Sequence, residues 1–72
     1  MTKTETRHQI EELFAAWGRG EHPRGKWDVY PIAFAAVDAR RITLREVIDI
    51  AATIDIRPEV LKMRRRDWLH TR

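Results

Sequence analysis

Apolar residues recur along this chain at steps of three and four, and nowhere do two alternating runs flank a hairpin turn signal. Steps of three and four trace one face of a helix, whereas a half-buried strand alternates in twos. The spacing therefore predicts an all-α fold, a small four-helix domain without a sheet. With 72 residues the chain is one domain with one small core, near the lower limit of independent stability. It has no cysteine, so neither a disulfide nor a thiolate metal site can reinforce that core. Hydrophobic residues make up 43%, too many for a disordered chain.

The first predicted helix covers about residues 4–17, where Ile10, Leu13, Phe14 and Trp17 form one stripe. Two capping boxes are possible at its start, Thr2 with Glu5 and Thr6 with Gln9. Gly18 and Gly20 are expected to stop it. Residues 18–27 hold all three glycines and one proline and read as a loop, made basic by Arg19, Arg24 and Lys26. The second helix is expected over 29–40, with Asp28 as cap and Pro31 in the first turn. Ile32, Ala33, Phe34, Ala35, Ala36, Val37 and Ala39 leave it almost no polar face, so it is either central in the fold or covered by a second subunit.

The third helix has the clearest start. Thr43-Leu44-Arg45-Glu46 is a capping box, flanked by Ile42 and Val47 as a hydrophobic staple. Leu44, Val47, Ile48, Ala51 and Ile54 follow as its buried stripe. The fourth helix opens at Pro58 and runs to about Leu69, with Val60, Leu61, Trp68 and Leu69 expected to face inward. Arg64 and Arg65 interrupt that stripe; their stems can line its edge while their charges reach water.

The net charge of +3 is unevenly placed. Residues 1–18 set Lys3 and Arg7 against Glu5, Glu11 and Glu12. Residues 57–72 carry Arg57, Lys62, Arg64, Arg65, Arg66 and Arg72 against only Glu59 and Asp67. A positive end of this kind suits an acidic partner such as nucleic acid; a solvated helix face is the alternative.

Residues 47–66 read Val-Ile-Asp-Ile-Ala-Ala-Thr-Ile-Asp-Ile-Arg-Pro-Glu-Val-Leu-Lys-Met-Arg-Arg-Arg. The stretch resembles a helix-turn-helix DNA-binding unit, spanning about 44–69. Such a unit has a small residue in its first helix, here Ala51, and a turn residue able to take positive φ, here Asp55 in place of the usual Gly. It then has a buried aliphatic residue, here Leu61. Ile50, Ile54 and Ile56 occupy the other buried positions. The run Ile54 to Lys62 also looks like the turn and recognition-helix start of MerR-type and excisionase-type regulators. It departs from them in Arg57, where Ser or Thr is usual, and in having no strands for a wing.

The resemblance implies that the fourth helix enters the major groove, with Arg57, Glu59, Lys62, Met63 and Arg66 facing the bases. Arg64, Arg65, His70 and Arg72 are then flank and backbone contacts. The function expected is a small DNA-binding protein, a transcriptional regulator or recombination accessory factor of the compact kind common in phage and mobile elements. The rival is a helical adaptor or inhibitor that binds a protein.

Other chemistry finds no support in the sequence. His8, His22 and His70 lack ligand spacing, and no nucleophile elbow, phosphate loop or paired-carboxylate pattern occurs. No enzyme activity, cofactor, metal or small-molecule substrate is expected. Trp17 and Trp68 lie on apolar stripes and are expected in the core; Trp27, in the basic loop, suits core and base stacking about equally. No apolar run approaches a membrane span, and residues 1–7 lead into no signal-peptide core, so a cytoplasmic location is expected. The many large rings and the apolar second helix predict a homodimer.

Overall fold

A computed structural model describes residues 2–21 and 29–71. Over these the protein is all-α, as the apolar spacing predicts. It has helices α1 (Lys3–Gly18), α2 (Val29–Asp38), α3 (Leu44–Ala52) and α4 (Pro58–Thr71), and no strand among the described residues. The expected basic loop beyond Glu21, and the expected Asp28 cap, lie outside them.

Of the two capping boxes possible for α1, Thr2 with Glu5 forms. The Thr2 hydroxyl oxygen accepts from the Glu5 N–H at 3.1 Å, and the Glu5 carboxylate accepts from the Thr2 N–H at 3.4 Å. Thr6 is thereby free to face inward. It is buried, with its hydroxyl donating to the Thr2 carbonyl at 3.1 Å, and so extends the stripe of Ile10 and Phe14 without an unpaired polar group. Leu13 and Trp17 are half-buried beside it.

The two glycines at the end of α1 have different roles. Glu21 N–H bonds to the Ala16 carbonyl (2.8 Å) and Gly20 N–H to that of Trp17 (3.0 Å), a Schellman pair. Gly20 sits at its left-handed position, φ 78°. Gly18 is still helical, and its lack of a side chain admits Ile54: a Cβ there would lie 2.9 Å from Ile54 Cγ2.

Two further helices end in the same bond pair. Arg40 N–H reaches Val37 and Arg41 N–H reaches Ala36, both at 3.0 Å, with Arg40 at φ 60°. This left-handed residue ends α2 at Asp38, two residues before the expected boundary. After α3, Asp55 N–H bonds to Ala52 (3.2 Å) and Ile56 N–H to Ala51 (3.1 Å), with Asp55 at φ 64°.

The capping box of α3 forms as predicted, with Glu46 N–H to the Thr43 hydroxyl oxygen at 3.1 Å and Thr43 N–H to the Glu46 carboxylate at 3.3 Å. Ile42 and Val47, the staple residues, are both buried. Glu46 also accepts from Arg7 of α1 at 2.9 Å. That hydrogen bond, ahead of those from the Thr43 hydroxyl and N–H, holds the Glu46 carboxyl below the usual carboxylate range. The same bond raises the Arg7 guanidinium.

Helix α2 packs against all three other helices. That central position accounts for part of its apolar composition: Val29, Tyr30, Ala33 and Phe34 are buried. Ile32 and Ala35 remain on its outer side, Ile32 at 41% exposure, and Ala39 is exposed just past its end. A run of rings crosses the core through this helix. Phe14 and Trp17 meet Tyr30 edge-on at 6.1 and 6.4 Å, Tyr30 stacks on Phe34 at 6.1 Å, and Phe34 meets Trp68 of α4 at 5.9 Å. Phe14 and Phe34 are wholly enclosed within the single chain, and Trp17 and Trp68 half so.

Candidate functional site

Helix α4 and the turn before it hold every residue assigned to DNA contact from the sequence except Arg72, which lies outside the described residues. The turn is compact. Ile54 N–H bonds to Ala51 at 3.1 Å, the Thr53 hydroxyl donates to the Ile50 carbonyl at 2.6 Å, and Asp55 reverses the backbone through its positive φ. Ala51 on α3 and Leu61 on α4 are both fully buried, so the two helices meet where the spacing of these residues places them. Arg57 occupies the position before Pro58, where its carbonyl accepts from Val60 (3.0 Å) and Leu61 (3.3 Å). An arginine side chain has no acceptor, so unlike Thr2 and Thr43 it cannot cap its helix.

The helical period divides α4 into two faces. Leu61, Arg65 and Trp68, at steps of four and three, form the inner one. Leu69, expected to face inward, is instead 47% exposed, because eight residues turn it roughly 80° from Leu61. Val60 and Ile56 are half-buried at the margin. The outer face is the ridge Glu59, Lys62, Met63, Arg66 and His70, at steps of three and four; all five are exposed, Met63 at 50%. Arg57 is exposed just before it. Among the described residues, Arg57, Glu59, Lys62 and Arg66 form no ion pair.

Arg64 and Arg65, grouped as flank contacts in the sequence, separate in the structure. Arg64 is exposed and lies over the Tyr30 ring at 5.3 Å. Arg65 is turned inward: it donates to Asp38 at the end of α2 (2.9 Å), and its side chain is only 19% exposed. Its guanidinium lies 5.5 Å from the Phe34 ring and 5.6 Å from that of Trp68, and its Nη1 is buried without a hydrogen bond. Arg65 thus ties α4 to α2 and does not belong to the outward surface. The four- and three-residue steps from Leu61 to Arg65 to Trp68 were the available sign. The charge of Arg65 masked them, and its partner Asp38 lies 27 residues away.

Elsewhere, His8 pairs with Glu12 at 3.0 Å on the exposed side of α1. No group of three His, Asp or Glu residues able to hold a metal comes together among the described residues. No helix among them is long and apolar enough to cross a membrane. Exposed Arg40, Arg41 and Arg45, at the α2–α3 turn and the start of α3, form no ion pair among the described residues. They were not singled out from the sequence, where they lie outside the dense basic run of 57–72. Comparison with protein-family models, with curated proteins and with solved structures found no match.

Proposed function

We propose that the protein binds double-stranded DNA by laying the outer face of α4 in the major groove, and acts as a small transcriptional regulator or recombination accessory factor. The observation that carries this reading is the combination of a tight α3–α4 turn with an outer α4 ridge whose cations form no ion pair among the described residues. Ala51 and Leu61 close the turn from inside, and Asp55 reverses it. The 14 residues of α4 span roughly 21 Å, and its ridge is free to enter a groove about 12 Å wide. Lys62, Arg66 and Arg57 supply charge for phosphates or guanine edges, Arg64 and His70 lie at the flanks, and Arg65 is left out. The reading makes the protein a DNA-contacting one, located in the cytoplasm, with no catalytic role and no cofactor. Dimerisation across the outer side of α2 would supply two such ridges for a two-fold site.

The test is an electrophoretic shift on mixed duplexes across a salt series, with wild type, Lys62→Ala and Arg66→Ala. Binding that weakens steeply with salt is expected, each variant lowering the salt slope by about one unit if it loses a phosphate contact. Loss of a guanine contact instead costs about 1–3 kcal/mol at one base pair. No shift at low salt would exclude DNA and favour the protein-binding adaptor, for which the exposure of Ile32, Met63 and Leu69 speaks. Light scattering that finds a monomer at high micromolar concentration would remove the dimer.

A further inference from the structure

The outer ridge of α4 is not uniformly basic. Glu59 lies in the same row as Met63 and Arg66, exposed and without an ion pair among the described residues. Met63 presents an apolar side chain, half exposed, in the middle of the row. Neither suits a surface that binds phosphates alone: a carboxylate is repelled by them, and a thioether gains nothing from them.

Resting on the DNA-binding reading of α4, we infer that Glu59 and Met63 are the residues that discriminate between sequences, with Lys62 and Arg66 supplying affinity. In the major groove only cytosine and adenine offer an exocyclic amine as donor. Adenine places its N7 acceptor beside that amine, which repels a carboxylate, whereas cytosine presents the donor alone. Glu59 therefore selects cytosine. The one apolar feature of the groove is the thymine methyl, and Met63 packs on it, removing its own exposed surface from water. Four residues separate Glu59 from Met63, a rise of about 6 Å along the helix. At a spacing of about 3.4 Å per base, the two contacts fall about two base pairs apart.

An acid in the first turn of α4 also complements the helix dipole, so stability alone does not distinguish the two roles. The test reads sequence preference. Wild type, Glu59→Gln and Met63→Ala are each used to select from a random-sequence duplex library at physiological salt. The winning wild-type duplex is then remade with deoxyuridine for thymine. Wild type is expected to enrich a motif with a cytosine and a thymine about two steps apart. Glu59→Gln is expected to bind duplex at least as tightly but to lose the cytosine preference. Removing the thymine methyl should weaken wild type about fourfold and leave Met63→Ala unaffected. If both variants enrich the wild-type motif, or wild type retains duplex without any motif, this assignment is wrong and DNA binding stands. If wild type retains no duplex at all, both fall.

Discussion

Arg40 and Asp55 hold a left-handed backbone, at φ 60° and 64°, at the places where α2 and α3 end. A side chain costs about 1–2 kcal/mol in that region, and glycine avoids it at the expense of greater freedom in the unfolded chain. Arg40→Gly is therefore expected to stabilise the fold by about 0.5–1 kcal/mol. Asp55→Gly should gain less, because aspartate tolerates the region better than arginine. Urea denaturation checks both; a loss of stability in Arg40→Gly would mean that its side chain contributes a contact that outweighs the strain. A second residue-scale prediction concerns Glu46. Its carboxyl is held low by the hydrogen bond from Arg7, so folding favours the ionised form. That contribution is complete above the ordinary carboxylate range and is lost as pH falls through the lowered folded value. Glu46→Gln keeps a side chain able to cap α3 but removes the charge, so melting temperature followed from neutral to acid pH should fall less in the variant than in wild type. Parallel curves would show that the Arg7–Glu46 pair does not couple folding to pH.

Among the elements, α4 depends most on a single anchor. Leu61 is its only fully buried residue, with Trp68 and the stem of Arg65 half-covered on the same face. Leu61→Ala should cost roughly 2–5 kcal/mol through the cavity it leaves, enough to unfold a domain of this size. An unchanged melting temperature would show that α4 is held by Arg65 and the rings instead. The elements were legible where a local rule decides them. The Thr43 box and the Ile42–Val47 staple marked the start of α3, and steps of three and four marked each apolar stripe. The end of α2 was not legible, because arginine at a left-handed position carries no sign in the sequence. The inward turn of Arg65 was missed because its partner is on another helix.

At the scale of the molecule, the all-α class followed from periodicity, but the way four helices share one core did not. The apolar composition of α2 allowed two explanations; its packing against α1, α3 and α4 accounts for Val29, Tyr30, Ala33 and Phe34, and leaves Ile32 and Ala35 exposed. The ridge of α4 was legible residue by residue, since exposure there follows the helical period; its grouping of Arg64 with Arg65 was not, since that depends on Tyr30 and Asp38. The contact of Gly18 with Ile54 belongs to the same class, visible only when α1 and the α3–α4 turn are brought together. Gly18→Ala adds about 1 kcal/mol of helix propensity but forces Ile54 to yield, for an expected net loss of about 1–3 kcal/mol. Shortening Ile54 to alanine in the same protein should make the Gly18→Ala change cost less than it does alone, and strictly additive losses in a double-mutant cycle would show that the two do not meet. Because α4 begins only four residues after Ile54, a methyl group at position 18 acts as a shim under the turn. It would re-aim the whole outer ridge while leaving each of its side chains untouched, so that under the proposed DNA-binding reading the angle at which α4 enters the groove would drift through changes in a helix that does not carry the ridge.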